Sequence, residues 1–347
     1  MRFVIFAVAL LLVCLDTSSR VRSEEATAER AQPASACQGA GQALESSRQL
    51  QTLSAADECA LKPKDVFKEC DKCPEMVVVP SGSFLMGSPE SDSMRFNDEG
   101  PRHTVVIARP FAVGKFHVTV DEFAAFVMDS GYDKESDCWG FDGKWYTQSR
   151  SMSWRDPGFP QTGTHPAVCL HWYDAKSYVD WLSRKTGKPY RLLTEAEWEY
   201  AARARTEPAP YTRYFFGDDP KDLCSYGDVA DTTATSTIKG TEKWEPAPCS
   251  DGHAYTAPVG SFAPNDFGLY DMIGNAWQWT EDCYRSGYDR APVDGSAWTS
   301  RDCGRRINRG ASFTVFPKAA RTATRGQTPP EDQYESVGLR VARTLSP

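Results

Sequence analysis

The residues most able to do chemistry in this chain are its 11 cysteines. Ten remain once the first 23 residues are set aside: Cys37, Cys59, Cys70, Cys73, Cys138, Cys169, Cys224, Cys249, Cys283 and Cys303. An even number of thiols in an exported chain reads as a disulfide framework of five bonds rather than as nucleophiles. Cys70-Asp71-Lys72-Cys73 has the spacing of a redox pair, but no thioredoxin-like βαβ pattern surrounds it. Local pairing, or sharing with Cys37 and Cys59, is the structural expectation. The five histidines, His103, His117, His165, His171 and His253, show no metal-ligand spacing such as H-E-x-x-H. Walker loops, G-x-S-x-G and G-x-G-x-x-G are all absent, so nucleotide chemistry and the ordinary hydrolase classes lapse.

The elements around these residues point to an exported α+β protein. Arg2 precedes an unbroken apolar run, Phe3 to Leu15, and a polar stretch follows to Ser23. That is the layout of a signal peptide spanning residues 1–23, and the run is too short to span a bilayer. Cys14 is no lipidation site, because Val13 stands where a small residue is needed. Cleavage leaves 36 basic and 46 acidic residues, a net charge of −10 with no Lys/Arg run, which excludes a nucleic-acid footprint. The expected location is the periplasm or the extracellular space, without a membrane span. Residues 24–69 read as a polar arm with one short helix near Ser54 to Leu61, and residues 70–345 as the body. Met76 to Val79 and Ser83 to Met86 flank Pro80-Ser81-Gly82 and predict a hairpin. Thr119 with Glu122, and Thr194 with Glu197, have capping-box spacing at the start of helical periods. A third helical period runs through Ala175, Tyr178, Val179 and Leu182 towards Gly187.

Seven segments in order resemble the formylglycine-generating enzyme, or sulfatase-modifying factor, family. They are MVVVPSGSFLMGS (76–88), EGPRHTVVIARPFAVGKFHVT (99–119), HPAVCLHWYDAKSYVDWLS (165–183), YRLLTEAEWEYAARA (190–204), TAPVGSFAPNDFGLYDMIGNAWQWTED (256–282), INRGASF (307–313) and VGLRVAR (337–343). The resemblance implies the family's C-type-lectin-like fold variant, rich in irregular structure and disulfide-bonded. It also implies a copper(I) centre on two cysteines after a Gly-Gly-Ser-aromatic motif, which oxidises a substrate cysteine to formylglycine. Here the motif is Gly310-Ala311-Ser312-Phe313, Val315 stands at the first cysteine position and Ala320 near the second. Soft thiolates are what Cu(I) requires, so copper is not expected and the family's oxidation should not run by that route.

Two calcium sites are implied as well. One falls on Asp228, Val229, Asp251 and His253, the second and fourth through their carbonyls. The other falls on Asp271, Gly274, Ala276 and Gln278, with one carboxylate and one amide as side-chain ligands. Within this fold the expected disulfides are Cys138–Cys169, Cys224–Cys249 and Cys283–Cys303. Trp277 and Ser312 match positions lining the family's substrate groove, and Arg321 and Arg325 are candidates to grip peptide carbonyls or carboxylates. Relatives that mature the chromophore of a peptide siderophore suggest an oxidoreductase-like enzyme on a peptide or peptide-derived substrate. The alternative is an inert, calcium-braced binding module for a peptide or protein. The discriminating feature is whether the groove holds convergent polar groups with perturbed pKa values.

Overall fold

The computed structural model describes residues 51–132, 137–241 and 243–346, all within one unit, Ala36–Pro347. The expected signal peptide and Cys37 lie outside the described residues. The architecture is α+β. A five-stranded sheet runs in the order Val66–Phe67, Met76–Val79, Phe111–Gly114, Val341–Thr344, Tyr190–Leu192. A four-stranded sheet runs Gly326–Thr328, Arg306–Arg309, Trp277–Cys283, Val337–Leu339, with its last pair parallel. Two ribbons, Gly82–Met86 with His103–Ile107 and Cys138–Phe141 with Tyr146–Ser149, complete the strands.

The hairpin expected around Pro80 does not form. Met76–Val79 is buried at every position, so it lies inside the five-stranded sheet against Phe111–Gly114. Gly82–Met86 leaves after Pro80 and pairs with His103–Ile107 instead. An all-apolar strand needs cover on both faces, which a two-stranded hairpin cannot provide.

Four helices frame the sheets: α1 (Ala55–Ala60), α2 (Val120–Ser130), α3 (Trp172–Thr186) and α4 (Glu195–Arg203). Thr119 and Glu122 close a capping box on α2, and Thr194 and Glu197 close one on α4. α3 is opened by His171, whose ring Nδ1 accepts from the Asp174 N–H, and is stopped by left-handed Gly187 at φ 67°. The apolar stripes of α2 and α3 meet in a core that includes Phe123, Phe126, Tyr178 and Leu182 beneath the five-stranded sheet.

α4 carries the acids that hold the irregular regions. Glu195 receives Arg325 at 2.7 and 3.0 Å, Glu197 receives Arg191 at 2.6 and 2.7 Å, and Glu199 bonds both Arg203 and Arg309. Arg309 is fully buried, and its guanidinium also donates to the carbonyls of Thr322, Ala323 and Thr324. Loop carbonyls without a ladder partner are thereby satisfied from the helix side. Residues 51–69 pack onto the same body, where Glu58 and Glu69 both pair with the buried Arg343. The disulfides Cys70–Cys73, Cys138–Cys169, Cys224–Cys249 and Cys283–Cys303 are formed, and Cys59 is disulfide-bonded too. Among the described residues, no helix is long and apolar enough to cross a membrane.

Candidate functional site

The four-stranded sheet floors a groove, to which Trp277, Asn308, Thr328 and Val337 contribute, one from each strand. Thr314 and the rings of Tyr146 and Tyr334 close a cavity of about 290 Å³ over them. Asn308 is fixed by donating its amide N–H to Thr328 Oγ1 at 2.8 Å. Of the expected groove residues, Trp277 lines this cavity and Ser312 does not. Ser312 is fully buried with its hydroxyl 3.0 Å from Thr314 Oγ1, so Thr314 is the residue that faces the opening.

Both positions matching the family's thiolates are apolar in structure as well as in sequence. Ala320 is buried and Val315 is partly buried in a cluster with Tyr214, Ile273, Ala311 and the ring of Trp277. The two arginines are not in the groove. Arg321 forks onto Glu99 at 2.8 and 2.6 Å, Arg325 onto Glu195, and both guanidiniums are buried. They are internal counter-ions, buried and turned onto carboxylates of the protein itself.

A second cavity, of about 100 Å³, continues behind Thr314. Phe141, Phe159, Trp244, Tyr255 and Phe313 form its walls, and Glu335 is its one acidic residue. Burial pushes the Glu335 carboxyl up to about 7, against a hydrogen bond from the Phe141 N–H. Nothing in the sequence singled out Glu335 or Thr314. The nearest signal is the Gly310–Phe313 motif, which ends on the residue before Thr314.

The two sets of expected calcium ligands differ. At the first, Asp228 is fully buried and neither of its carboxylate oxygens has a partner, and Asp251 Oδ2 is likewise unpartnered. Burial, then the neighbouring Asp251, Asp231 and Asp271 charges, push the Asp228 carboxyl far above its usual range, and burial pushes Asp251 up to about 7. Asp231, not foreseen from sequence, orders the loop by accepting the N–H groups of Ala234 and Asp251. Orphaned hard oxygens with mutual repulsion fit a divalent cation.

The second set, Asp271, Gly274, Ala276 and Gln278, does not fit one. The side-chain oxygen of Gln278 already accepts from the Trp198 indole and the Arg340 guanidinium, both at 2.8 Å. Those partners can only donate, so the oxygen must face them and the Gln278 NH₂ faces the Asp271 carbonyl. His117 donates to the Ala276 carbonyl at 2.8 Å, its ring held neutral by burial, which lowers it to about 3. Asp271 keeps one unpartnered oxygen, but the Arg340 charge stands beside it. A fixed cation of the protein replaces a bound one.

Residues 62–345 match the sulfatase-modifying factor enzyme 1-like domain, and the chain belongs to that family. It is 30% identical over 306 residues to the formylglycine-generating enzyme of Thermomonospora curvata, covering 77% of this chain and 92% of that one. It is 29% identical over 297 residues to the inactive C-alpha-formylglycine-generating enzyme 2 of Mus musculus, covering 78% and 85%. Among solved structures, PvdO from Pseudomonas aeruginosa superposes with a TM-score of 0.68 at 38% identity, over 82% of this chain and all of that one.

Proposed function

We propose that this chain is an exported maturation factor of the sulfatase-modifying factor family, acting by oxidoreductase-type chemistry on a peptide or peptide-derived substrate without the copper–dithiolate route. One observation carries the reading: the groove beside Gly310–Phe313 remains open and polar although the thiolate positions hold Val315 and Ala320. A scaffold kept only for its fold has no need of a groove lined by Asn308, Thr314 and Thr328. The leader-like first 23 residues and the disulfide framework support export. Calcium held by Asp228, Asp251 and the Val229 and His253 carbonyls would neutralise the acidic loop that the Cys224–Cys249 disulfide closes.

The test compares exported small-molecule and peptide pools, by mass spectrometry, from cells lacking this gene, cells with the wild type and cells with Thr314→Trp. A precursor richer by two hydrogens should accumulate in the first and third and be consumed by purified wild-type protein in the presence of dioxygen. Identical pools in all three would overturn the reading.

A further inference from the structure

We infer that the smaller cavity behind Thr314 is a side-chain pocket for a primary ammonium group, with aromatic walls around its stem and the Glu335 carboxylate as its anchor. The inference deepens the groove reading and rests on it, since Thr314 lines both cavities.

Glu335 is 3% exposed, yet only half of its carboxylate is satisfied. Oε1 accepts the Phe141 N–H at 3.1 Å, and Oε2 has no partner. A buried carboxylate oxygen left without a donor is costly, and such a group persists where something else completes it. Gly140 and the Met152 thioether stand in front of the orphaned oxygen: a Cβ on Gly140 would lie 3.1 Å from Oε2 and closer still to Met152 Cε. An entering ammonium therefore reaches Oε2 by turning aside the unbranched Met152 side chain, which also lines the cavity.

The walls select what enters. Phe159 stacks on Tyr255 at 4.7 Å and meets Phe313 edge-on at 5.3 Å, giving an apolar sleeve with ring faces. A neutral apolar group would fill the sleeve and leave Oε2 unpaired, and an anion would be repelled. An ammonium on an alkyl stem satisfies both, donating to Oε2 and lying against aromatic faces. The titratable groups facing Glu335 are the phenols of Tyr146 and Tyr334, neither of which is a competing cation. A substrate lying in the groove would thus place a lysine- or ornithine-like side chain past Thr314, which lines both cavities.

The test uses n-butylamine, the lysine side-chain analogue, and 1-butanol as its neutral counterpart. Binding to the whole protein is followed through the Trp244 indole resonance of tryptophan-labelled material. Butylamine should titrate Trp244 saturably and butanol should not. Glu335→Gln, which keeps an acceptor for the Phe141 N–H, should weaken butylamine at least tenfold. Wild-type affinity should also rise at least tenfold from pH 5 to pH 8, as Glu335 ionises with its carboxyl pushed up to about 7. That pH arm needs only the wild type, so it decides the matter even if Glu335→Gln does not fold. Equal responses to the amine and the alcohol, a pH-independent affinity, or no saturable shift would each overturn the inference. These probes report on the pocket alone. A negative result beside a positive precursor experiment therefore sinks the ammonium pocket, while failure of the precursor experiment sinks the groove reading.

Discussion

Arg321 and Arg325 have the fork geometry that grips a peptide, and both forks are closed on buried carboxylates of the protein itself. Removing one member of such a pair strands the other charge in a low-dielectric interior. Arg321→Ala should therefore cost about 3–5 kcal/mol in urea denaturation, and Arg321→Met with Glu99→Gln should recover much of it. Loss of function without loss of stability would return Arg321 to the groove. Sequence could show that Val315 and Ala320 lack ligand atoms, because composition after Cys303 is a fact of the chain. It could not show where a guanidinium points: Glu99 and Arg321 are 222 residues apart, and the ion pair exists only once both loops meet at the same wall. Glu335 was hidden for the same reason. It belongs to no motif, and its environment is made by the ribbon at Cys138–Phe141 folding over it.

At the scale of elements, local chemistry was legible and pairing was not. Capping boxes, helical periods and left-handed glycines depend on residues within a turn, so α2 and α4 begin where Thr119 and Thr194 place them. α3 was found by its period, although its cap, His171, is not one of the usual capping types. Met76–Val79 and Gly82–Met86 are adjacent in sequence but do not pair, because full burial of Met76–Val79 demands a five-stranded context.

The α2 cap supports a pH prediction. Burial pushes Glu122 up to about 7 from an ordinary 4.5, opposed by the Thr119 backbone bond. A carboxyl raised in the folded state binds a proton there that the unfolded chain has released. Its stabilising contribution is therefore complete below about pH 4.5 and is lost as pH rises through 7. Glu122→Gln retains the capping-box acceptor, so it should raise the melting temperature relative to wild type at pH 8 and not at pH 5. An equal change at both pH values would contradict the assignment.

For the molecule as a whole, stability rests on cross-links between loops: disulfides, buried Arg–Glu pairs and the acidic loop at Asp228. The family resemblance made the three long-range disulfides legible, and all three are formed. It also suggested two calcium sites with equal force, and only the geometry separates them. One is a set of orphaned carboxylates, and the other is filled by Arg340, Trp198 and His117. Calcium should raise the melting temperature and a chelator lower it, because a ligand confined to the folded state stabilises by mass action. Asp228→Asn should abolish the calcium response and, in chelator, melt above the wild type, since it removes a carboxyl whose ionised form burial and the Asp251, Asp231 and Asp271 charges disfavour. Asp271→Asn should leave the calcium response largely intact. A calcium response lost with Asp271 and kept with Asp228 would reverse the assignment.

On the proposed function, the family's groove is kept here without the family's copper chemistry. The most direct test of that reading is to incubate the purified, disulfide-intact protein with a cysteine-containing sulfatase peptide, dioxygen, reductant and copper, and to examine the peptide by mass spectrometry. With Val315 and Ala320 packed in an apolar cluster and Cys303 bonded to Cys283, no pair of thiolates among the described residues meets beside the groove. The cysteine should emerge unchanged. Its conversion to the formylglycine aldehyde, persisting in a Cys303→Ser variant, would contradict the account.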